Sequence, residues 1–348
     1  MKKYISYSTA INQAIKSEMK RDKKIILMGL GVDDPKGVFG TTLNIHKLLR
    51  KQVFDMPTAE NAFTGIGLGL AISGFKPIIV HQRVEFSLLS VEQIINQIAK
   101  WSYMSDGKVN TPIVIRLIIG KGWGQGPQHS QSLEALFTHI PGLKVVSPSF
   151  ANDAKELMIE SIRDPDPIIF FEHRWLHHTT SIIKKNRANS KIGKASVIKK
   201  GKDITLISFS YSLVECLKCI EDLNKLKINT EIIDLKTLRP LDKKTIINSV
   251  KKTKNVLIVD NGMLNNGISS EISAIINESL NEKIVVKRIG VKDQPIPSSP
   301  AIAKFCYPRK KNIIETILKI LKYKNKIILK EDKTIGSDQP DKKFTGPF

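Results

Sequence analysis

Cysteine is scarce, with three residues in a chain of 348, too few for a disulfide framework. Cys216 and Cys219 form a C-x-x-C, a spacing that can serve redox chemistry or half of a zinc site. No second Cys or His pair lies at zinc-finger spacing. The two thiols fall in SLVECLKCIEDLNKL, where Leu213, Leu217, Ile220 and Leu223 recur with helical period. They are expected as small apolar residues on a buried helical face. Long apolar runs are also missing: nothing approaches the roughly 18 residues that a membrane-crossing helix needs. The opening MKKYISYSTA is basic, but Ser and Thr break its apolar stretch too soon for a signal sequence. A cytoplasmic protein with no membrane partner is expected. Acid is in deficit, 33 Asp and Glu against 55 Lys and Arg, for a net charge of +22. Such a balance attracts phosphate backbones when it is clustered. Here the lysines are scattered and no aromatic-studded basic stripe occurs, so specific nucleic-acid binding is not expected, only non-specific attraction to polyanions.

What is present is a long alternation of two signals. Apolar runs of strand length recur as KIILMGL (24–30), KPIIVH (76–81), PIVIRLII (112–119), LKVVSP (143–148) and PIIFFEH (167–173). Helix-like stretches lie between them, including SLLSVEQIINQIAKW from Ser87 and NDAKELMIESIRD, with Asn152 as its expected N-cap. The pattern implies βαβ units and an α/β fold with mainly parallel sheet. A polar, basic stretch then interrupts it before ITLISFS, NTEIIDL, NVLIVD and KIVVKRIG repeat the theme. The expected organisation is two parallel-sheet α/β domains, 1–180 and 203–330, joined by a linker at 181–202 and followed by a polar tail at 331–348.

Several motifs bear on chemistry. GIGLG (65–69) has G-x-G-x-G rather than G-x-G-x-x-G spacing and lies inside an expected helix, so it is not a dinucleotide fingerprint. Its small residues suit close helix packing. SDGKVN (105–110) reads as an exposed turn rather than a Mg²⁺ site. In DMPTAENAFTG, Glu60 opens a helix of small and apolar residues; it is either a surface charge favouring the helix dipole or a functional carboxylate. The loop GKGWGQGPQHSQS (120–132) lacks the Lys-Ser/Thr of a phosphate loop and a second ligand for a metal. Its glycines permit close backbone approach, and His129 stands as an acid/base group.

These segments, with GVFGTT, EIIDLKTLRPLD and VKDQPIP, resemble the beta subunits of the thiamine-diphosphate-dependent 2-oxo acid dehydrogenases, in the transketolase superfamily. The likeness spans nearly the whole chain. It implies a transketolase-like pyrimidine-binding domain followed by a transketolase C-terminal-like domain. It implies that Glu60, with Thr58 nearby, hydrogen-bonds the aminopyrimidine ring of thiamine diphosphate, and that Phe86 packs against that ring. It assigns His129 to the reacting substrate or lipoyl group, with acyl transfer to lipoyl as the outcome. In some members, carbonyls matching Ile113, Ser161, Asp164 and Asp166 enclose potassium. The G-D-G…Asn element that holds Mg²⁺ and the diphosphate does not occur here, which implies a separate alpha subunit in an α2β2 heterotetramer. A lipoyl acyltransferase core is the implied further partner.

The chain departs from the family in one place. Where typical members carry an acidic and aromatic segment, it reads VHQRVEF (80–86). His81 and Arg83 are therefore candidate substrate residues, since Arg forms paired hydrogen bonds with carboxylate or phosphate. Trp123 is a candidate pocket wall. The expected donor differs from plain pyruvate. The competing expectations are a carboligase passing its fragment to an aldehyde, and a basic interaction or nucleic-acid-binding protein with no enzymatic activity.

Overall fold

The computed structural model describes residues 4–122, 124–182 and 190–323. The first half supplies strands β1 (Tyr4–Ser6), β2 (Ile25–Gly29), β3 (Val53–Asp55), β4 (Lys76–His81), β5 (Val114–Ile119), β6 (Lys144–Val146), β7 (Ile168–His173) and β8 (Thr180–Ile182). The second supplies β9 (Ser196–Lys199), β10 (Ile204–Ser208), β11 (Thr230–Asp234), β12 (Thr237–Arg239), β13 (Asn255–Met263) and β14 (Val285–Val291). The first sheet runs β12-β6-β7-β5-β4-β2-β3 and is parallel except at its β12 edge. The second runs β14-β13-β10-β11-β9, with only β9 antiparallel. Parallel strands covered on both faces must be apolar throughout. β2, β5 and β7 are accordingly buried at every position.

The two halves interlock. β12 follows β11 in sequence yet pairs with β6, Thr237 opposite Val146, so the second half donates an edge strand to the first sheet. One hydrophobic cluster runs from Ile115 and Phe171 to Ile207 and Ile258. The 181–202 stretch read as a linker carries β9, which closes the edge of the second sheet. The polar tail at 331–348 lies outside the described residues.

Two local expectations change. Asn152 is not an N-cap: the helix is Ala151–Arg163, Phe150 occupies the cap, and the Asn152 amide instead reaches Glu156 one turn on. The stretch from Ser87 is not one α-helix. It is a 3₁₀ run at Val84–Ser90, a π turn at Gln93–Ile98 and a short α-helix at Trp101–Met104. The first part is pinned at Glu85, whose carboxylate accepts Gln131 N–H at 2.8 Å, and the π turn keeps both Ile94 and Ile98 buried. Cys216 and Cys219 are buried in the core of the second half, and burial pushes both thiols up, Cys216 to about 12. A thiol held protonated in this way is packing rather than chemistry.

Candidate active site

Glu60 is the first residue of the helix Glu60–Ile72 and is 5 % exposed. Among the described residues its carboxylate has neither a side-chain hydrogen bond nor an ion pair. The residue is buried as a whole while its carboxylate, at the helix start, is left open to accept from a group beyond the described residues. The glycines below it explain how it is held. A Cβ on Gly67 would come within 2.4 Å of Ile79 Cδ1, so glycine lets the helix meet β4 without moving the Ile79 side chain. One turn after Glu60, Thr64 Oγ1 lies 3.3 Å from His81 Nε2 and donates to Ser90 Oγ at 3.1 Å. Thr58 is exposed just before the helix.

His81 and Arg83, adjacent in the sequence reading, part company. His81 is buried against the helix, its ring 5.1 Å from Phe63, and burial drives it down to about 3. It is a neutral, buried histidine packed against Phe63 and Thr64. Arg83 turns to the 120–132 loop, where its guanidinium donates to Gln125 Oε1. Phe86 and His129 meet edge to face, centroids 5.7 Å apart at 78°. The 83–86 segment and the histidine loop therefore form one surface, joined by Arg83–Gln125, Glu85–Gln131 and Phe86–His129. Trp123 lies outside the described residues.

His129 is half-buried, and burial and then the Arg83 charge lower its pKa from the ordinary histidine value. The ring is neutral at pH 7, one nitrogen a donor and the other an acceptor. Around it His129 Nδ1, Gln125 Nε2, Ser130 Oγ and Glu85 Oε2 are buried with no hydrogen-bond partner among the described residues. Orphans of this kind are rare in isolation, and four on one loop and its support mark a surface that something else completes.

Residues from the second half hold the loop from behind, and the sequence reading did not find them. Lys121 Nζ donates to the backbone carbonyl of Asn261 and lies 3.3 Å from its Oδ1, while Asn261 Nδ2 donates to Glu134 Oε1 at 2.8 Å. Trp175 Nε1 donates to the Lys121 carbonyl at 2.8 Å. Burial raises Glu134 and lowers Lys121, each partly offset by the other's charge. Gly126, at φ +70°, passes so close to Ser298 that a Cβ would lie 2.6 Å from its hydroxyl. The available signal was position: Lys121 follows directly on the carboxyl end of β5, the edge where ligands gather in parallel sheets.

In the loop matched to potassium, a lysine pairs with the aspartate side chains. Lys144 Nζ is 2.7 Å from Asp164 Oδ1 and 2.9 Å from Asp166 Oδ2, Ile113 O accepts Ile168 N–H, and Ser161 Oγ donates to Leu157 O. An ion there would be held by carbonyls alone. No cluster of three or more His, Cys, Asp or Glu fit to hold a metal occurs among the described residues. A cavity of about 1660 Å³ lies between Tyr103, His139, Arg239 and Glu271. None of its walls belongs to 58–86 or 120–132, so it is not the site of Glu60 and His129.

Comparison with known proteins gives this arrangement its family. Residues 3–178 match the transketolase pyrimidine binding domain and residues 193–313 the transketolase C-terminal domain. The pyruvate dehydrogenase E1 component subunit beta-1 of Arabidopsis thaliana is 37% identical over 319 residues, 90% of this chain and 88% of that protein. The chain belongs to the E1 beta-subunit family. The beta subunit of acetoin:2,6-dichlorophenolindophenol oxidoreductase of Cupriavidus necator is 35% identical over 334 residues, covering 92% of this chain and 99% of that one. The Rickettsia bellii pyruvate dehydrogenase E1 beta subunit is 35% identical, with 91% and 98% covered. A split-gene transketolase solved as an inactive beta4 tetramer shares the fold, with TM-score 0.76 at 19% identity over 92% of this chain and 100% of that one. Glu60 and His129 thus stand on an E1 beta scaffold. No helix among the described residues is long and apolar enough to cross a membrane.

Proposed function

We propose that the chain is the beta subunit of a thiamine-diphosphate-dependent 2-oxo acid dehydrogenase, active only with an alpha subunit in an α2β2 heterotetramer. The observation that carries the reading is Glu60: a carboxylate of a buried residue at a helix start, with no side-chain hydrogen bond or ion pair among the described residues. It fits the pyrimidine half of the cofactor. The residues present do not fit the other half, because G-D-G…Asn is absent from the sequence and no metal-holding cluster occurs among the described residues. Mg²⁺ and the diphosphate therefore belong to the alpha subunit. Exposed Ile66 on the Glu60 helix and Leu89 on the adjoining turn suit burial against such a partner.

Thiamine diphosphate, held at its pyrimidine by Glu60 and walled by Phe86, would supply a nucleophilic thiazolium carbon for a 2-oxo acid. Glu60 holds a proton at the pyrimidine nitrogen. His129, neutral and next to Arg83, accepts or returns a proton at the substrate side. Phe86 walls the ring and fixes the His129 edge. The acceptor in this reading would be an oxidised lipoyl group, whose disulfide would take both the acyl group and the two electrons left after loss of carbon dioxide. Coexpression with an alpha subunit bearing G-D-G…Asn tests the reading. Coelution as a heterotetramer, with 2-oxo acid consumption that needs thiamine diphosphate and Mg²⁺ and acylates a lipoyl domain, is expected. Failure to associate, or turnover independent of the cofactor, contradicts it.

A further inference from the structure

Positive charge gathers at the carboxyl edge of the first sheet. β4, β5 and β7 are parallel neighbours, so the residues just past their ends emerge side by side: Arg83, the 120–132 loop and Arg174. The place a Cβ would take on Gly120 is 2.9 Å from Arg83 Nη1 and 3.1 Å from the His129 carbonyl, which fixes Arg83 against the histidine loop. Arg83 contacts the neutral Gln125 amide and forms no ion pair among the described residues. Arg174 is 1 % exposed, its guanidinium 4.5 Å over the Phe39 ring. Arg116 holds that Phe39 loop in place, donating to Thr41 Oγ1 at 2.6 Å.

The Arg83 charge acts on Arg174, while Arg83 itself is lowered by burial and raised in part by Glu85. Burial and then Arg83 pull Arg174 down to about 9, and burial followed by Arg174 lowers the adjoining His178. Glu85 is a weak counter-charge, because burial raises its pKa and Gln131 N–H already holds one oxygen. Gln125 Nε2 and Ser130 Oγ add buried donors with no partner among the described residues.

A simple 2-oxo acid has one carboxylate, and that carboxylate leaves as neutral carbon dioxide. Clamping it between two cations would stabilise the ground state more than the transition state and slow the reaction. An anion that stays charged throughout turnover creates no such conflict, and guanidinium pairs are well suited to grip it. We propose that Arg83 and Arg174 bind a second, non-reacting anionic group of the donor, a phosphate or a distal carboxylate, so that the preferred substrate is a dianionic 2-oxo acid.

This deepens the proposed function and rests on it. The test uses the assembled heterotetramer and compares 2-oxobutyrate with 2-oxoglutarate (distal carboxylate) and 3-phosphohydroxypyruvate (phosphate). At least one dianionic acid is expected to show kcat/KM ten-fold or more above 2-oxobutyrate. Which one does so distinguishes the two anions. Arg83→Met is expected to raise KM for that acid at least ten times more than for 2-oxobutyrate, with Arg83→Lys intermediate. Preference for 2-oxobutyrate, or equal losses on both classes, overturns the proposal. So does a complex that exchanges hydrogen at the thiazolium carbon while neither dianionic acid reacts or inhibits better than 2-oxobutyrate. Loss of that exchange in the unmutated complex would instead overturn the functional reading itself.

Discussion

His129 and Arg83 act on each other through charge. A cation beside an imidazole disfavours the imidazolium, and burial adds to the effect, so His129 keeps its neutral form to lower pH than a free histidine. If the neutral ring accepts the proton, kcat falls as pH drops through the His129 pKa, and this acid limb lies below about 6.5. Arg83→Met removes the cation, raises the His129 pKa and moves the limb to higher pH in a kcat–pH profile. An unmoved limb contradicts the coupling. His129→Ala is expected to lower kcat by roughly 10²–10⁴, the range of a lost acid/base group. Glu60 and His129 were legible in the sequence because each sits in a long distinctive segment. Arg174 was not: in PIIFFEHRWLHH it is one more basic residue until the parallel pairing of β5 with β7 brings it beside the loop. The same sequence logic joined His81 to Arg83, whereas the chain turns after β4 and sends them to opposite sides of the turn.

The 120–132 loop behaves as an element because both halves of the chain grip it. Arg83, Glu85 and Phe86 hold its front, and Asn261 and Ser298 hold its back. Lys121 and Glu134 share Asn261 in a buried network, where removing one partner leaves the others unsatisfied. Lys121→Met is expected to destabilise the protein by roughly 1–3 kcal/mol. Combined with Glu134→Gln it should cost less than the sum of the single changes, since the double variant no longer buries a lone charge. Urea unfolding of the four proteins measures the cycle, and strict additivity would show that the pair does not act together. The strands were legible because a strand buried on both faces must be an apolar run. β12 was not, since Thr237–Arg239 is three residues long and its pairing with β6 is a property of the whole fold. The irregular 84–98 stretch reads as a plain amphipathic helix because its departures come from contacts made at Glu85 and Ile94, not from local propensity.

At the scale of the molecule, two interlocked sheets present Glu60, Phe86, His129 and two arginines along one edge, beside orphaned polar atoms and exposed apolar residues. The proposal that Mg²⁺ and the diphosphate lie on another chain rests on the sequence, where G-D-G…Asn does not occur. The sequence could not convey that the second half of the chain braces the histidine loop, since Lys121 and Asn261 lie 140 residues apart. The central claim is that Glu60 holds the proton that makes the cofactor reactive. Exchange of the thiazolium hydrogen for deuterium, followed by NMR in the assembled complex, tests it most directly. Glu60→Gln should leave assembly intact and reduce the exchange rate by at least two orders of magnitude, as expected for a lost acid/base group. Exchange at the unmutated rate in an intact Glu60→Gln complex would contradict the account.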